Sequence, residues 1–310
     1  FAPLDKILDD QVQVIQREAP DMVVCDGTFS LTSAAYITNT PAAAIMNAYY
    51  MHFYRPGSVY RTLINLWDKL HLSRIRNRVF KRYGCEPVDA KELFWNTRVI
   101  SPGLADFDEY IKDYEHWEAV GPIWGKLPCD RPAWLDQLDD DQTTVYISFG
   151  STGDLERFLL KNYADLEATS YRFVVTTGGQ VSEATQAKAP DSFFFSDYAP
   201  GDEVLKHCDA LIFHGGNGTM YQALAAGVPM LALPHTLEQD INARLCDPHG
   251  FGIRLKPSQA VGPRLVQALD RILNEDGFAE SARGFAKRIE ETPGAQRAAD
   301  VILENAPQKN

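Results

Sequence analysis

The stretch that most constrains this chain runs from Ala210 to Asp240. Ala210-Leu211-Ile212-Phe213 is an apolar run of buried-strand length. His214-Gly215-Gly216-Asn217-Gly218-Thr219 follows as a glycine-rich turn. Met220 to Ala226 is rich in helix formers and is closed by Gly227, a natural helix stop. Val228 to Leu233 reads as a second buried strand ended by Pro234. Strand, turn, helix, strand is a βαβ unit and implies a parallel sheet. Glycines let backbone N–H groups approach a bound anion closely, and a helix N-terminus adds the positive end of its dipole. His214 can donate a ring N–H and Thr219 a hydroxyl, so the turn has the chemistry of a phosphate cradle. Loops after successive parallel strands leave on the same sheet edge, where ligands bind. Glu238 and Gln239 are therefore expected beside the His214 turn, a carboxylate and an amide suited to gripping sugar hydroxyls.

Length and composition set the bounds. A chain of 310 residues accommodates about two domains, and a 45% hydrophobic content is ample for their cores. No apolar run is long enough to span a bilayer, and nothing resembles a signal peptide. The five cysteines are scattered without metal-ligand spacing, which predicts reduced thiols and a cytoplasmic protein. A net charge of −12 argues against nucleic acid as the main partner. An anionic ligand must then be held by local dipoles and donors.

The first part of the chain is also α/β. Leu4, Ile7, Leu8, Val12 and Ile15 have helical spacing. Met22 to Cys25 reads as a strand leading to Asp26-Gly27, and Ala42 to Met46 as another after a helix through Ser33 and Tyr36. Met46 to Tyr54 is dense in aromatics. It reads either as a core strand with its loop or as an acceptor wall of Met46, Tyr49, Tyr50 and Phe53, which would offer flat apolar area to a hydrophobic ligand. In 69–82 basic residues interleave with apolar ones. This predicts a helix that is either merely solvated or a peripheral membrane contact. Arg98 to Ser101 is a short strand candidate, followed by an acidic loop. The second domain opens at Thr143, with further strands at 171–177 and 193–195 and helices near 261–275, 278–291 and 295–305.

Together these pieces resemble a known family. His-Gly-Gly-x-Gly-Thr, then Gly-Val-Pro, then Glu-Gln-Asp-x-Asn-Ala is similar to the donor box of the UDP-glycosyltransferase superfamily (family-1 glycosyltransferases, GT-B fold). Val145 to Ser151 resembles the first strand and turn of that family's donor domain, Asp197 to Gly201 its base-stacking loop, and Val120-Gly121-Pro122 the entry to its interdomain linker. The resemblance implies two Rossmann-like domains facing each other across a cleft. It divides the chain into a partial acceptor-side domain (1–122), a linker (123–142), a donor domain (143–290) and a terminal helix crossing back to the first domain (291–310).

The site residues follow by resemblance. His214, Gly216, Asn217, Gly218, Thr219 and Ser151 would meet the donor diphosphate, Tyr198 and Ala199 the base, and Glu238 and Gln239 the sugar. Tyr198 stands where plant relatives carry tryptophan, and Glu238 replaces the usual aspartate. Asp26 would orient a catalytic histidine, by the logic of a His–Asp pair. That histidine would lie outside this chain, which by resemblance opens within its first domain. From residues alone, Asp26-Gly27 is also an Asx turn, Ser151 a plain turn residue and His214 a helix cap. The implied activity is an inverting, metal-independent transfer of a hexose to a hydroxyl of a hydrophobic small molecule or lipid. No cofactor is expected beyond the nucleotide-sugar co-substrate, with a UDP-sugar placed ahead of a dTDP-sugar. A donor-binding subunit that needs a partner chain for the base and acceptor site is the alternative.

Overall fold

The structure is a computed structural model. It describes residues 3–47, 59–89, 92–93, 97–107, 114–125, 129–138, 141–150 and 153–307. The chain forms two compact units, one of Phe1–Ile123 with Thr292–Asn310, the other of Trp124–Glu291.

The first unit is built on four parallel strands in sequential order: β1 (Val23–Asp26), β2 (Ala42–Ile45), β3 (Arg98–Ser101) and β4 (Trp117–Ala119). Helix α1 (Leu4–Glu18) buries Leu8, Val12 and Ile15, the expected stripe, and ends at Ala19 in the left-handed region just before Pro20. Helix α2 (Phe29–Ile37) links β1 to β2. Helix α3 is one run without a break, Val59–Trp67, a π-helical turn Asp68–Leu72, and Ser73–Arg82. Strand β4 lies in a stretch the sequence presents as an acidic loop. Three residues are too short to show alternation, and only its backbone pairing with β3 reveals it.

The last helix, Gly294–Asn305, completes this unit. Its Ala298 and Val301 share a core cluster with Ala43, Ile100 and Val120. A Cβ at Gly294 would stand 2.6 Å from the Gly121 carbonyl oxygen, so the helix start and the 121–122 backbone meet without a side chain between them. Arg297 pairs with Glu118 at 2.6 Å. Met46 is one of the four residues expected as an acceptor wall. It is buried in the core cluster with Leu8, Val12, Val23 and Cys25, because it directly continues strand β2. Its side chain is spent on packing rather than on a wall. Tyr49, Tyr50 and Phe53 lie outside the described residues.

The second unit holds a six-stranded parallel sheet. In chain order its elements are β5 (Thr144–Ser148), α4 (Leu155–Glu167), β6 (Arg172–Thr176), β7 (Phe193–Ser196), β8 (Ala210–Phe213), α5 (Asn217–Ala225), β9 (Met230–Ala232), α6 (Leu237–Ala243), β10 (Gly252–Arg254), α7 (Pro263–Asn274) and α8 (Asp276–Glu290). The strand order is β10-β9-β8-β5-β6-β7. Val145, Ile147, Phe173, Val175, Leu211, Ile212 and Leu231 are fully buried, as expected of parallel strands covered on both faces. Each such side chain contributes about 1.5–3 kcal/mol relative to exposure. Part of the segment expected as a linker packs on the second unit. Trp134 sits in a short 3₁₀ turn and donates its indole N–H to Ser196 Oγ at 2.8 Å, which ties 133–137 to β7. Two short helical turns, Gly201–Val204 and Leu205–His207, precede β8. Among the described residues no helix is long and apolar enough to cross a membrane.

Candidate active site

The strand order decides where a ligand sits. From β5 the chain proceeds to β6 and β7 on one side, then returns past β5 and proceeds through β8, β9 and β10 on the other. The reversal leaves a crevice at the carboxyl ends of β5 and β8, the binding position in open α/β sheets. Ser148 pairs with Phe213 at these ends. The next residues are therefore the turn at Gly150 on one strand and the turn His214-Gly215-Gly216 on the other.

His214 is wedged between these turns. A Cβ on Gly150 would lie 3.0 Å from its Cε1, and one on Gly216 would lie 2.6 Å from its Nε2. Both positions admit the imidazole only because they are glycine, and Gly150 also has a positive φ of 55°. The ring is 7% exposed. Burial holds its pKa below the ordinary histidine value, the Ser148 backbone pulls the other way, and His235 adds to the lowering. At neutral pH His214 is thus uncharged, a donor of one N–H. Its Nδ1 is buried and has no hydrogen-bond partner among the described residues.

Helix α5 begins directly after this turn. Gly216 is its N-cap and brings no side-chain acceptor of its own to the first turn, where the positive end of the helix dipole lies. Gly218 in the first turn faces open space, with nothing within 4 Å of a Cβ placed there.

Helix α6 begins the opposite way. Thr236 and Gln239 form a capping box. The Gln239 amide donates to Thr236 Oγ1 at 3.3 Å, and Gln239 Oε1 accepts from the Thr236 amide at 3.0 Å and the His235 amide at 2.8 Å. Gln239 is buried. The carbonyl end of the side chain expected on the sugar is thus committed to the loop. Gly215, at φ 91°, would place a Cβ 2.6 Å from the Gln239 carbonyl oxygen, and Asn242 Nδ2 donates to the Gly215 carbonyl at 3.0 Å. These contacts lock the two turns together. Glu238 lies in the first turn of α6, half-buried, next to this lock. Asp240 pairs with Arg244 at 2.7 Å and with Arg254 of β10.

A cavity of about 350 Å³ opens beside α5. Gly218 and Thr219 line it from the helix, Gly150 and Gly178 from the neighbouring turns, and Tyr198 and Ala199 from the loop after β7. Tyr198 is 63% exposed, its ring available at the rim. The structure thus brings together Gly218, Thr219, Tyr198 and Ala199, with His214, Gly216 and Asn217 in the adjoining turn. It does not bring Glu238 or Gln239 to this wall, and Ser151 lies outside the described residues.

Sequence reading missed part of the cavity. Tyr146 OH bonds Thr176 Oγ1 at 2.8 Å, and Thr176 donates to Ser148 Oγ at 3.1 Å, a chain of hydroxyls across β5 and β6. Tyr146 and Ser148 alternate on one face of β5, a signal visible in the sequence, but Thr176 becomes their neighbour only through strand register. Thr177 donates to Asp197 at 2.5 Å and fixes the loop that carries Tyr198. A second cavity, of about 420 Å³, lies between α4 and the 257–261 loop and is lined by neither the α5 amides nor Tyr198.

In the first unit Asp26 ends β1 with an exposed side chain. Gly27 makes the turn at φ 59°, and Thr28 Oγ1 donates to the Asp26 carbonyl at 2.9 Å. The Asp26 carboxylate takes no hydrogen bond among the described residues, so the Asx turn does not form. Among the described residues no group of three or more His, Cys, Asp or Glu is placed to hold a metal ion.

The chain is similar to known proteins. The family profile of the Erythromycin biosynthesis protein CIII-like, C-terminal domain, matches residues 159–304. The chain is similar to a PGL/p-HBAD biosynthesis rhamnosyltransferase of Mycobacterium bovis, 26% identical over 331 aligned positions that cover 98% of this chain and 72% of the relative. It is also similar to a PGL/p-HBAD biosynthesis glycosyltransferase of Mycobacterium tuberculosis, 27% identical over 92% of this chain and 70% of the relative. Among solved structures, the kitacinnamycin glycosyltransferase superposes with a TM-score of 0.77 at 19% identity, covering 98% of this chain and 81% of that one. The calicheamicin glycosyltransferase CalG4 gives 0.74 at 22% identity, covering 96% and 78%. The switch-point cradle, the aromatic-rimmed cavity and these likenesses agree: the chain has the GT-B fold, resembles the family-1 glycosyltransferases and is an enzyme that transfers glycosyl groups.

Proposed function

We propose that the chain binds a pyrimidine nucleotide-diphosphate sugar in its second unit and transfers the sugar, with inversion and without a metal, to a hydroxyl of a hydrophobic acceptor. The observation that carries this reading is the uncapped N-terminus of α5, opening on a cavity rimmed by Tyr198 with neutral His214 wedged beside it. The diphosphate is bound by the α5 amides, the Thr219 hydroxyl and a His214 N–H, and the base stacks on Tyr198. Glu238 takes the sugar hydroxyls from the adjoining loop.

The acceptor oxygen forms its bond to the anomeric carbon as the bond to the β-phosphate oxygen breaks. The electron pair leaves on the diphosphate, where preorganised donors are worth most. The acceptor proton goes to a general base, and Asp26 is the residue assigned to orient it. A mycobacterial relative is named a rhamnosyltransferase, and both nucleotides occur among the structural neighbours, dTDP with VinC and UDP with Os79 of O. sativa. UDP is the first choice for this chain and dTDP the second.

Calorimetry with UDP and dTDP, with and without EDTA, tests the donor site. Binding unchanged by EDTA is expected, and a strong loss would overturn the metal-free reading. The reaction is read by turnover of UDP-glucose and dTDP-rhamnose on phenolic and lipid alcohols, with the anomeric configuration of the product determined by NMR.

A further inference from the structure

Helix α3 turns one face outward along its whole length, and no part of the donor chemistry uses it. Val59, Leu63, Leu66 and Trp67 stand between 53% and 72% exposed. They recur at the three- and four-residue steps of a single helical face. The other exposed large apolar side chains among the described residues stand singly. The inner face is settled by packing. Val79 and Phe80 are fully buried, Phe80 meets Tyr36 edge-on at 5.5 Å, and Arg76 pairs with Asp68 at 3.0 Å in a nearly buried bridge.

The outward row continues past the π turn. The wider turn absorbs an extra residue, so that 67, 71, 74, 78 and 81 follow 59 and 63 in steps of three or four. Its second half is cationic. Arg74, Arg78 and Lys81 are exposed, with Lys69 at the flank, and none has an ion pair among the described residues. Residues 59–82 hold seven basic residues and one acidic, Asp68, which is held by Arg76 on the inner side. The whole chain carries −12, so this helix is a local reversal of sign. With screening over about 10 Å at 0.1 M salt, an approaching surface responds to the local patch and not to the net charge.

We propose that this outward row docks on an anionic phospholipid bilayer. Val59, Leu63, Leu66 and Trp67 enter the headgroup–acyl boundary, and Arg74, Arg78 and Lys81 lie on the phosphates. Interfacial helices combine apolar insertion with cationic attraction in this way, and tryptophan favours that depth. A second copy is a poorer occupant. A two-fold contact through the row either sets like charges together or lays the apolar half on the cationic half. The proposal rests on the first unit alone and stands apart from the donor assignment.

The test is co-sedimentation of the full-length protein with vesicles of phosphatidylcholine alone and of phosphatidylcholine with phosphatidylglycerol. Binding is expected only to the mixed vesicles and is expected to fall steeply with salt. Each basic residue near an anionic surface contributes about fivefold in partitioning, so Arg74→Gln with Arg78→Gln should lower it more than tenfold. Leu63→Ser with Trp67→Ser should abolish it. UDP affinity and far-UV circular dichroism should not change in either pair. Absence of binding, equal binding to neutral vesicles, or binding untouched by the arginine pair would overturn the proposal. So would a change in oligomeric mass on gel filtration caused by the leucine–tryptophan pair with vesicle binding intact, which would mark the row as an interface between copies.

Discussion

Helices α5 and α6 start about twenty residues apart at the same edge of the same sheet, yet they begin in opposite ways. Helix α5 starts at a glycine with no side-chain cap and faces a cavity. Helix α6 starts with a closed capping box whose glutamine is buried. The two are also bolted together, Gly215 against the Gln239 backbone and Asn242 onto the Gly215 carbonyl. The comparison separates two uses of a helix N-terminus. One end leaves its donors for a ligand, and the other spends them to hold the first in place. Residues of one motif therefore fail in different ways when changed.

The largest effect should come from breaking the bolt. Gly215→Ala forces a Cβ at φ 91° to within 2.6 Å of a backbone oxygen that cannot step aside. A loss of about 2–4 kcal/mol is expected from combined strain and overlap, with nucleotide binding lost as well. Urea unfolding checks it. A variant with wild-type stability would show that the two turns are not rigidly joined.

Changes at the open end should spare the fold. Gly218→Ala, where a Cβ meets nothing, is expected to keep the unfolding free energy within about 0.5 kcal/mol, and His214→Ala, at a buried position, to lose somewhat more. Both should weaken UDP. For His214→Ala the loss is about ten- to a hundredfold, the worth of a hydrogen bond to a charged group. Glu238→Ala should weaken a UDP-sugar by a similar factor and leave UDP itself unchanged. Titration of each variant with UDP and UDP-glucose separates these roles. Equal weakening of both ligands by Glu238→Ala would assign that residue to the loop.

The closed end should read out as stability. Gln239→Ala removes the acceptor of two backbone amides and should cost about 1 kcal/mol, the usual worth of a cap. Thermal unfolding measures it, and Gln239→Glu, which keeps the acceptor, should restore most of it. A Gln239→Ala variant of unchanged stability but poor sugar binding would return Gln239 to the sugar site.

The smallest effect is on pH. His214 has a lowered pKa in the folded protein, chiefly from burial. As pH falls below the ordinary histidine value of about 6.5, the unfolded chain takes up the proton first, so the fold loses stability in that window. A bound diphosphate reverses the preference by favouring the charged ring. Nucleotide-sugar binding should then take up a fraction of a proton below neutral pH, and affinity should rise as pH falls. Calorimetry in buffers of different ionisation enthalpy measures the uptake. His214→Gln should reduce it, and His235→Gln, a change at the other histidine held low by burial, should leave the His214 share in place.

The sequence by itself determined most of the strands, the glycine turn and the helix that follows it. These follow from runs of buried-strand length, a glycine cluster and helix formers, all local signals. It also placed Glu238 and Gln239 beside the His214 turn, because parallel strands share an exit edge. What needed the tertiary structure was every role set by a neighbour distant along the chain. Gln239 gained a capping role with its backbone against Gly215, and Met46 turned from a wall into core. Thr176 joined Tyr146 and Ser148 through register, and β4 appeared only as the partner of β3. Spacing along the chain says which face of an element a side chain occupies. What that face meets is decided by packing between elements, and there a side chain that could serve a ligand is often claimed first by the backbone of the next turn.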